Sequence, residues 1–124
     1  MKRTMISVAM VLVLMLTMVA TVAMAATFPI DTVVPSGFKD ICRLVEVYGG
    51  QEINWNLNFE APIEGCVLVF SEKTKTLLYE QDFNSGNVQG SFTAKAHDDN
   101  YMIRIVNENC WETHVTGQVE LPGY

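Results

Sequence analysis

The chain has 124 residues and a net charge of −6, with fourteen acidic side chains against eight basic ones. An acidic chain that lacks a cluster of Lys or Arg repels phosphate backbones, which argues against a nucleic acid as partner. A chain of this length forms one domain, and its acidity keeps that domain soluble.

The amino-terminal segment has the composition of an export signal. Two basic residues follow Met1, an uncharged and mostly apolar run covers positions 5–22, and Ala23-Met24-Ala25 supplies the small residues that signal peptidase accepts. These features predict a signal peptide over residues 1–25, with cleavage between Ala25 and Ala26. The chain is therefore predicted to be secreted or extracytoplasmic, at the cell surface or in a periplasm-like compartment.

Retention of the same segment as a membrane anchor stays open, because about 20 apolar residues can span a bilayer. In that case residues 5–25 would hold the chain in the membrane, and the rest would still face away from the cytosol. Cleavage leaves six basic and fourteen acidic residues, so the exported part carries a net charge of −8.

After the signal, an extended segment is predicted to precede the folded domain. Residues 26–40 contain two prolines and a glycine and are predicted to form an extended lead-in. Residues 41–124 are then predicted to form a single β domain. Ile41–Tyr48 is predicted to form its first strand, with a short helical turn as the alternative, and Gly49-Gly50 ends this element.

The next segment alternates between apolar and amide side chains. Ile53, Trp55, Leu57 and Phe59 are separated by three asparagines, as in a strand with one buried and one solvated face. This pattern predicts that Trp55 lies in the core. Because Asn is a poor strand former, the alternation indicates a demand of the tertiary structure and not of local propensity.

Short apolar segments and polar turns follow one another to the end of the chain. Strands are predicted over residues 66–70, 77–83, 88–96, 101–106 and 114–121, with breaks at Ala61-Pro62, 71–76, Asn84-Ser85-Gly86, 97–100 and 107–113. The strand over residues 66–70 is apolar throughout, so both of its faces are predicted to be covered. Beyond the predicted signal peptide, no window shows a sustained helical period. The spacing predicts an all-β fold, an antiparallel β-sandwich or small barrel of about six to eight strands.

Part of the chain resembles a known family. The likeness lies in two segments separated by a polar stretch, Gly90-Ser91-Phe92-Thr93-Ala94 and Tyr101–Asn107. They are similar to paired strands of GOLD domains, the lumenal β-sandwiches of p24-type secretory-pathway proteins. Gly65–Glu80, which ends in Leu77-Leu78-Tyr79-Glu80, resembles the hairpin of that family. The resemblance extends over residues 50–121. It implies a GOLD-like or jelly-roll-like sandwich that binds a ligand or a protein and has no chemistry of its own.

All three cysteines lie in the exported part, where an oxidising compartment permits a disulfide. A bridge between Cys42 and Cys110 would join the two ends of the sandwich, and the resemblance implies the same pairing of an early with a late cysteine. The other pairings and full reduction stay open, because connectivity cannot be deduced from a sequence. Cys66 lies in an apolar run and is predicted to be a free buried thiol.

Nothing in the sequence marks a catalytic or metal site. The chain contains no Gly-x-Ser-x-Gly, Walker or His-Glu-x-x-His motif, and no cysteine has a pair of basic neighbours together with a His at a recognisable spacing. His97, His114 and the Asp98-Asp99-Asn100 stretch lack the spacing of zinc or calcium ligands. The chain is predicted not to be an enzyme and to have no catalytic residues, no cofactor and no metal.

Exposed aromatic residues remain as candidate contacts. Trp111 lies beside Cys110 in a polar loop, where it would either cover a disulfide or bind a partner, since Trp is a favoured anchor. The first hypothesis is a non-enzymatic extracytoplasmic domain that binds an unknown protein at an edge strand or through this loop. The alternative is a carbohydrate- or small-ligand-binding module in which Tyr48, Tyr101 or Trp111 stacks on the ligand.

Overall fold

The structure, a computed structural model, describes residues 25–95 and 100–123. The predicted signal peptide and most of the predicted turn at 97–100 lie outside these residues. The described part contains six strands: β1 (Ala26–Val34), β2 (Gly37–Leu44), β3 (Glu52–Ser71), β4 (Thr76–Thr93), β5 (Tyr101–Asn107) and β6 (Thr113–Leu121). No helix with the length and apolarity needed to cross a membrane occurs among these residues.

The strands pair in the order β1-β6-β3-β5-β2, all antiparallel, and β4 pairs with the other edge of β3. The long strand β3 changes neighbour halfway along: Asn54–Phe59 pair with β6, and Gly65–Ser71 pair with β5. The six strands therefore fold over into an antiparallel β-sandwich, which confirms the predicted fold class. We call the layer containing β1 and β6 sheet 1 and the layer containing β2 and β5 sheet 2; β3 and β4 run through both.

A polar side chain holds the corner where β3 passes from one sheet to the other. The register of β3 against β4 shifts between Asn58 and Ile63, and residues 60–62 have no register partner in β4, β5 or β6. The hydroxyl of Thr113 accepts a hydrogen bond from the Ala61 N–H at 3.0 Å and donates one to the Ala61 carbonyl at 2.9 Å. A side chain of β6 thereby satisfies both backbone groups of Ala61 where the backbone ladder between the strands is interrupted.

Two predicted chain breaks lie inside strands. Ala61-Pro62 forms the corner of β3, and Asn84-Ser85-Gly86 lies within β4. The sequence therefore predicts four short strands where the structure has one long hairpin. Proline is compatible with a strand at an irregularity of this kind, where no ladder hydrogen bond from its nitrogen is needed.

The predicted lead-in belongs to the sandwich. Residues 26–34 form β1 and pair with β6 along its whole length, and β2 begins at Gly37 and ends at Leu44 instead of covering Ile41–Tyr48. The prolines favoured a lead-in over a strand in the sequence, but β1 is an edge strand. At an edge, Pro29 removes no hydrogen bond that a neighbouring strand needs.

The core lies between the two sheets and is built from alternate residues of every strand. Trp55, predicted to be buried, is only 3% exposed, and its indole N–H donates to Gln81 Oε1 at 2.9 Å. A series of ring contacts connects Trp55 through Tyr79 and Phe92 to Tyr101, with centroids 5.8 to 6.0 Å apart. The fully buried aliphatic residues include Leu44, Ile53, Leu57, Val67, Val69, Ile103, Ile105 and Val115.

Candidate functional site: two opposite outer faces

The outward side chains of sheet 2 form a surface that is largely apolar. Phe38 lies beside Val106, and Phe70 lies between Met102 and Leu77 in the strand register. We call this surface the apolar face; it consists of Phe38, Leu68, Phe70, Leu77, Met102 and Val106 around Arg104. Phe38 is 55% exposed and Leu77 is 47% exposed, while the other four apolar residues are partly buried.

The sequence contains a signal for this face in the apolar run of β3. The run from Cys66 to Phe70 was predicted to be covered on both sides, and Val67 and Val69 do point into the core. Leu68 and Phe70 lie on the outer side, where no described part of the chain forms a layer over them. A strand that is apolar on both sides but has only one side in the core indicates a contact surface.

Arg104 is held in the middle of the apolar face by two aromatic rings. Its guanidinium carbon lies 4.3 Å from the ring centroid of Phe38 and 4.9 Å from that of Phe70. The Nε group also donates to Asp40 at 2.6 Å, and this hydrogen bond raises the pKa of Arg104. The side chain is therefore fixed as a planar cation that can accept contacts from above without further ordering.

The edge of the apolar face formed by β4 is acidic. Glu80 lies opposite Leu68 and Asp82 opposite Cys66 in the register. Neither carboxylate forms an ion pair within the described part of the chain, whereas at the other end of the face Arg43 pairs with Glu72 at 2.7 Å. The face therefore combines an apolar centre with unneutralised negative charge along one side.

The outward side chains of sheet 1 have the opposite character. Three rows of paired residues run across β1, β6, β3 and β4, and they bring together amide, hydroxyl and carboxylate groups with one proline among them. We call this surface the amide face; its residues are Thr27, Pro29 and Asp31 from β1, Asn54, Asn56 and Asn58 from β3, Asn87, Gln89 and Ser91 from β4, and Thr116, Gln118 and Glu120 from β6.

Hydrogen bonds between side chains order part of the amide face. The Asn87 amide donates to the side-chain oxygens of Asn56 at 3.1 Å and Asn58 at 2.7 Å, and Gln89 donates to Asn87 Oδ1 at 3.1 Å. Gln118 donates to Glu120 Oε2 at 2.7 Å. This network is the tertiary demand that the alternating asparagines indicated.

The predicted aromatic contacts differ in accessibility. Trp111 is 49% exposed and Tyr48 is 42% exposed, but neither lies among the residues of the two faces. Tyr101 is fully buried, so it cannot stack on a ligand. Its position on β5 points inward, and its hydroxyl accepts a hydrogen bond from the Lys95 N–H at 2.9 Å, which satisfies the polar end of the ring inside the core.

The three cysteines are free, and the bridge predicted between Cys42 and Cys110 is not formed. Cys42 pairs with Ile103 in the middle of β5, whereas Cys110 follows the end of that strand at Asn107. Four strand residues span about 13 Å, which exceeds the Cα separation that a disulfide tolerates. Cys66 is buried, in agreement with the prediction, although on the outward side of β3.

The thiols are expected to differ strongly in reactivity. Burial raises the pKa of Cys42 to about 11, and burial together with Glu80 raises the pKa of Cys66, so both stay protonated at pH 8, whereas Cys110 is exposed. We expect iodoacetamide to alkylate Cys110 at least tenfold faster than the other two, because only the thiolate reacts. Peptide mapping after brief labelling checks this order, and the intact mass of the exported chain also shows whether the chain starts at Ala26. Three equal rates in the folded protein would contradict it.

One group of potential metal ligands lies at the acidic edge. The donor atoms of Cys66, Glu80 and Asp82 all lie within 4.8 Å of one another. The two carboxylates are exposed, and the thiol is kept neutral by its raised pKa. Three such donors fall short of the closed four-ligand set of a structural zinc site. His114, the other described candidate ligand, is paired with Asp31 on the outer side of sheet 1.

In comparisons with known proteins, no protein-family model and no curated protein matches the chain.

Proposed function

We propose that the chain is a non-enzymatic, exported binding domain that holds a protein partner through the apolar face. The main support for this proposal is the contiguous set of outward apolar side chains on sheet 2, with Arg104 stacked between Phe38 and Phe70. Arg and large aromatic residues contribute most of the binding energy in protein interfaces, especially at the centre of a patch. Exposed apolar surface that is rimmed by polar residues is typical of such interfaces.

The charges of the face specify the chemistry of the partner. Neither Glu80 nor Asp82 on the β4 edge forms an ion pair with another described residue, so a partner with Lys or Arg opposite them would gain electrostatic complementarity. The acidic balance of the whole chain favours the same sign of partner. The partner is therefore a protein with an apolar patch flanked by basic residues, in the extracytoplasmic compartment to which the amino-terminal segment directs the chain.

The resemblance to GOLD domains agrees with this proposal, since it too implies a protein- or ligand-binding sandwich.

The Trp111 loop is the competing contact site. It offers one exposed ring, held in place by a hydrogen bond from Asn107 to the Trp111 carbonyl at 2.8 Å. The apolar face offers several neighbouring apolar groups, which makes it the larger source of binding energy.

Site-specific photo-crosslinking in the producing cells tests the proposal. A photoreactive phenylalanine analogue at Phe38 or Leu77 is expected to give one discrete protein adduct, while the same analogue at Asn58 on the amide face gives none. The purified adduct protein should then bind the Phe38→Ser/Leu77→Ser variant at least tenfold more weakly, a loss of about 1.4 kcal/mol. Both residues are exposed, so this variant should keep the parent melting temperature.

The matched control is Trp111→Ser, which removes an equally exposed aromatic residue outside the face. It is expected to change the affinity for the same partner less than twofold. The opposite order of effects would move the binding site to the Trp111 loop. An adduct that proves to be a second copy of the chain would replace a foreign partner by self-association, and sedimentation velocity would show it directly.

A further inference from the structure

A groove crosses the amide face on the side of the sandwich opposite to the apolar face. It has a volume of about 440 Å³, and its lining residues are Asn54, Trp55, Asn56, Gln89, Gly90, Ser91, Gln118 and Glu120. This volume lies within the range of small-molecule sites, but the lining is dominated by polar side chains instead of apolar ones. The composition of the groove therefore indicates what kind of ligand it fits.

The lining offers hydrogen-bond donors and acceptors side by side with very little charge. Each amide presents one oxygen acceptor and two N–H donors, and Glu120 is the one ionisable side chain of the lining. A sugar hydroxyl both donates and accepts, so neighbouring hydroxyls can pair with both ends of one amide. An anionic ligand would find no cation in the groove and would meet a chain with net negative charge.

Part of the groove is already ordered, and part has unused hydrogen-bonding capacity. Asn56 and Gln89 are held through Asn87, and Gln118 is held by Glu120. In contrast, the side chains of Asn54 and Ser91 make no hydrogen bond to any described residue and lie opposite each other across β3 and β4. Ordered groups reduce the entropy cost of binding, and the unpaired groups gain partners when a ligand enters.

The base of the groove is formed by Gly90 and Trp55, which are directly paired across β3 and β4. A Cβ on Gly90 would come within 2.7 Å of Trp55 Nε1, so the indole packs against the bare backbone of this residue. Trp55 is thus buried immediately beneath a surface that a ligand would cover. Its fluorescence is expected to respond to occupancy of the groove.

We propose that this groove is a binding site for a neutral saccharide, in which Asn54, Ser91 and Gln118 pair with the sugar hydroxyls. The site is independent of the proposed protein-binding function, because the two surfaces lie on opposite sheets. No aromatic ring stacks on the sugar, so recognition depends on hydrogen bonds to the amides. Such a site is expected to bind in the millimolar to high-micromolar range.

The test uses the Trp111→Phe variant, in which Trp55 is the single tryptophan. Soluble gluco-, manno-, xylo-, galacto- and chito-oligosaccharides are titrated while Trp55 fluorescence and amide chemical shifts are recorded. At least one saccharide is expected to give a saturable change, with shifts centred on residues 54–56, 89–91 and 118–120. Asn54→Ala/Gln118→Ala should weaken that binding at least tenfold.

Thr116→Ala is the matched control, because Thr116 lies on the same face and strand as Gln118 but outside the groove lining. It should leave the affinity within twofold of the parent. Ser91→Tyr, which fills the groove from the exposed edge strand, should abolish binding and keeps the test usable if the double variant does not fold. Absence of a saturable signal with every saccharide, or equal weakening by Thr116→Ala, would overturn the proposal.

Discussion

Gly117→Ala is expected to lower the stability of the domain by more than about 3 kcal/mol, and the melting temperature by more than about 15 °C. Two independent causes combine at this position. Gly117 has a φ of +136°, which side-chain-bearing residues rarely adopt. A Cβ there would also overlap the Asn56 carbonyl oxygen, so the pairing of β6 with β3 must open at the centre of sheet 1.

Two other glycines separate these causes. Gly37 has a φ of +112° but open space around a Cβ, so Gly37→Ala should cost about 1–3 kcal/mol from backbone strain alone. A Cβ on Gly86 would lie at an ordinary 3.5 Å from Pro62 Cγ, so Gly86→Ala should change stability by less than about 0.5 kcal/mol. Urea unfolding of the three variants measures the order. Equal losses at Gly117 and Gly37 would show that the overlap with Asn56 is absent.

Thr113→Val is expected to cost about 2–3 kcal/mol, although it preserves the shape of a residue that is only 3% exposed. The reason is the corner of β3, where the Thr113 hydroxyl satisfies both the N–H and the carbonyl of Ala61. Valine leaves two backbone groups without a partner in a partly buried place. The expected loss corresponds to a fall in melting temperature of roughly 8–20 °C.

Thr113→Ser serves as the control for this prediction, because it keeps the hydroxyl and removes one methyl group. It should cost no more than about 1 kcal/mol, the value of one buried methylene-sized group. Denaturant midpoints of both variants, measured at pH 7, give the comparison. If Ser and Val destabilise the domain equally, packing and not hydrogen bonding holds the corner.

The strands with the clearest alternation are the ones that the sequence identified best. Phe59 and the apolar residues before it have the expected inward positions, and β5 and β6 lie within a residue of their predicted limits. The all-β class follows from the same periodicity. The errors concern chain breaks and edges: Pro62, Gly86 and Pro29 were interpreted as interruptions, because a sequence does not show that a neighbouring side chain or a solvent-exposed edge tolerates them.

The candidate sites were less accessible to sequence reasoning. The predicted lead-in contains Phe38, and the predicted strand with both faces covered contains Leu68 and Phe70. The apolar face depends on β2, β5 and β3 being neighbours, which the sequence does not show. The amide face was signalled by the alternating asparagines, although Gln118 and Glu120 join them only through the pairing of β6 with β3. The prediction that Tyr101 contacts a ligand is wrong, because its place in the β5 register directs its side chain into the core.

The hairpin of β3 and β4 supplies strands to both layers, so neither layer can melt while the other survives. Hydrogen exchange should accordingly show one set of slow amides that spans the whole sandwich and a single opening free energy. A compound that occupies either surface then protects every residue of that set by mass action, including those beneath the opposite surface. Thermal shift alone will therefore report that something has bound without revealing which side it occupies.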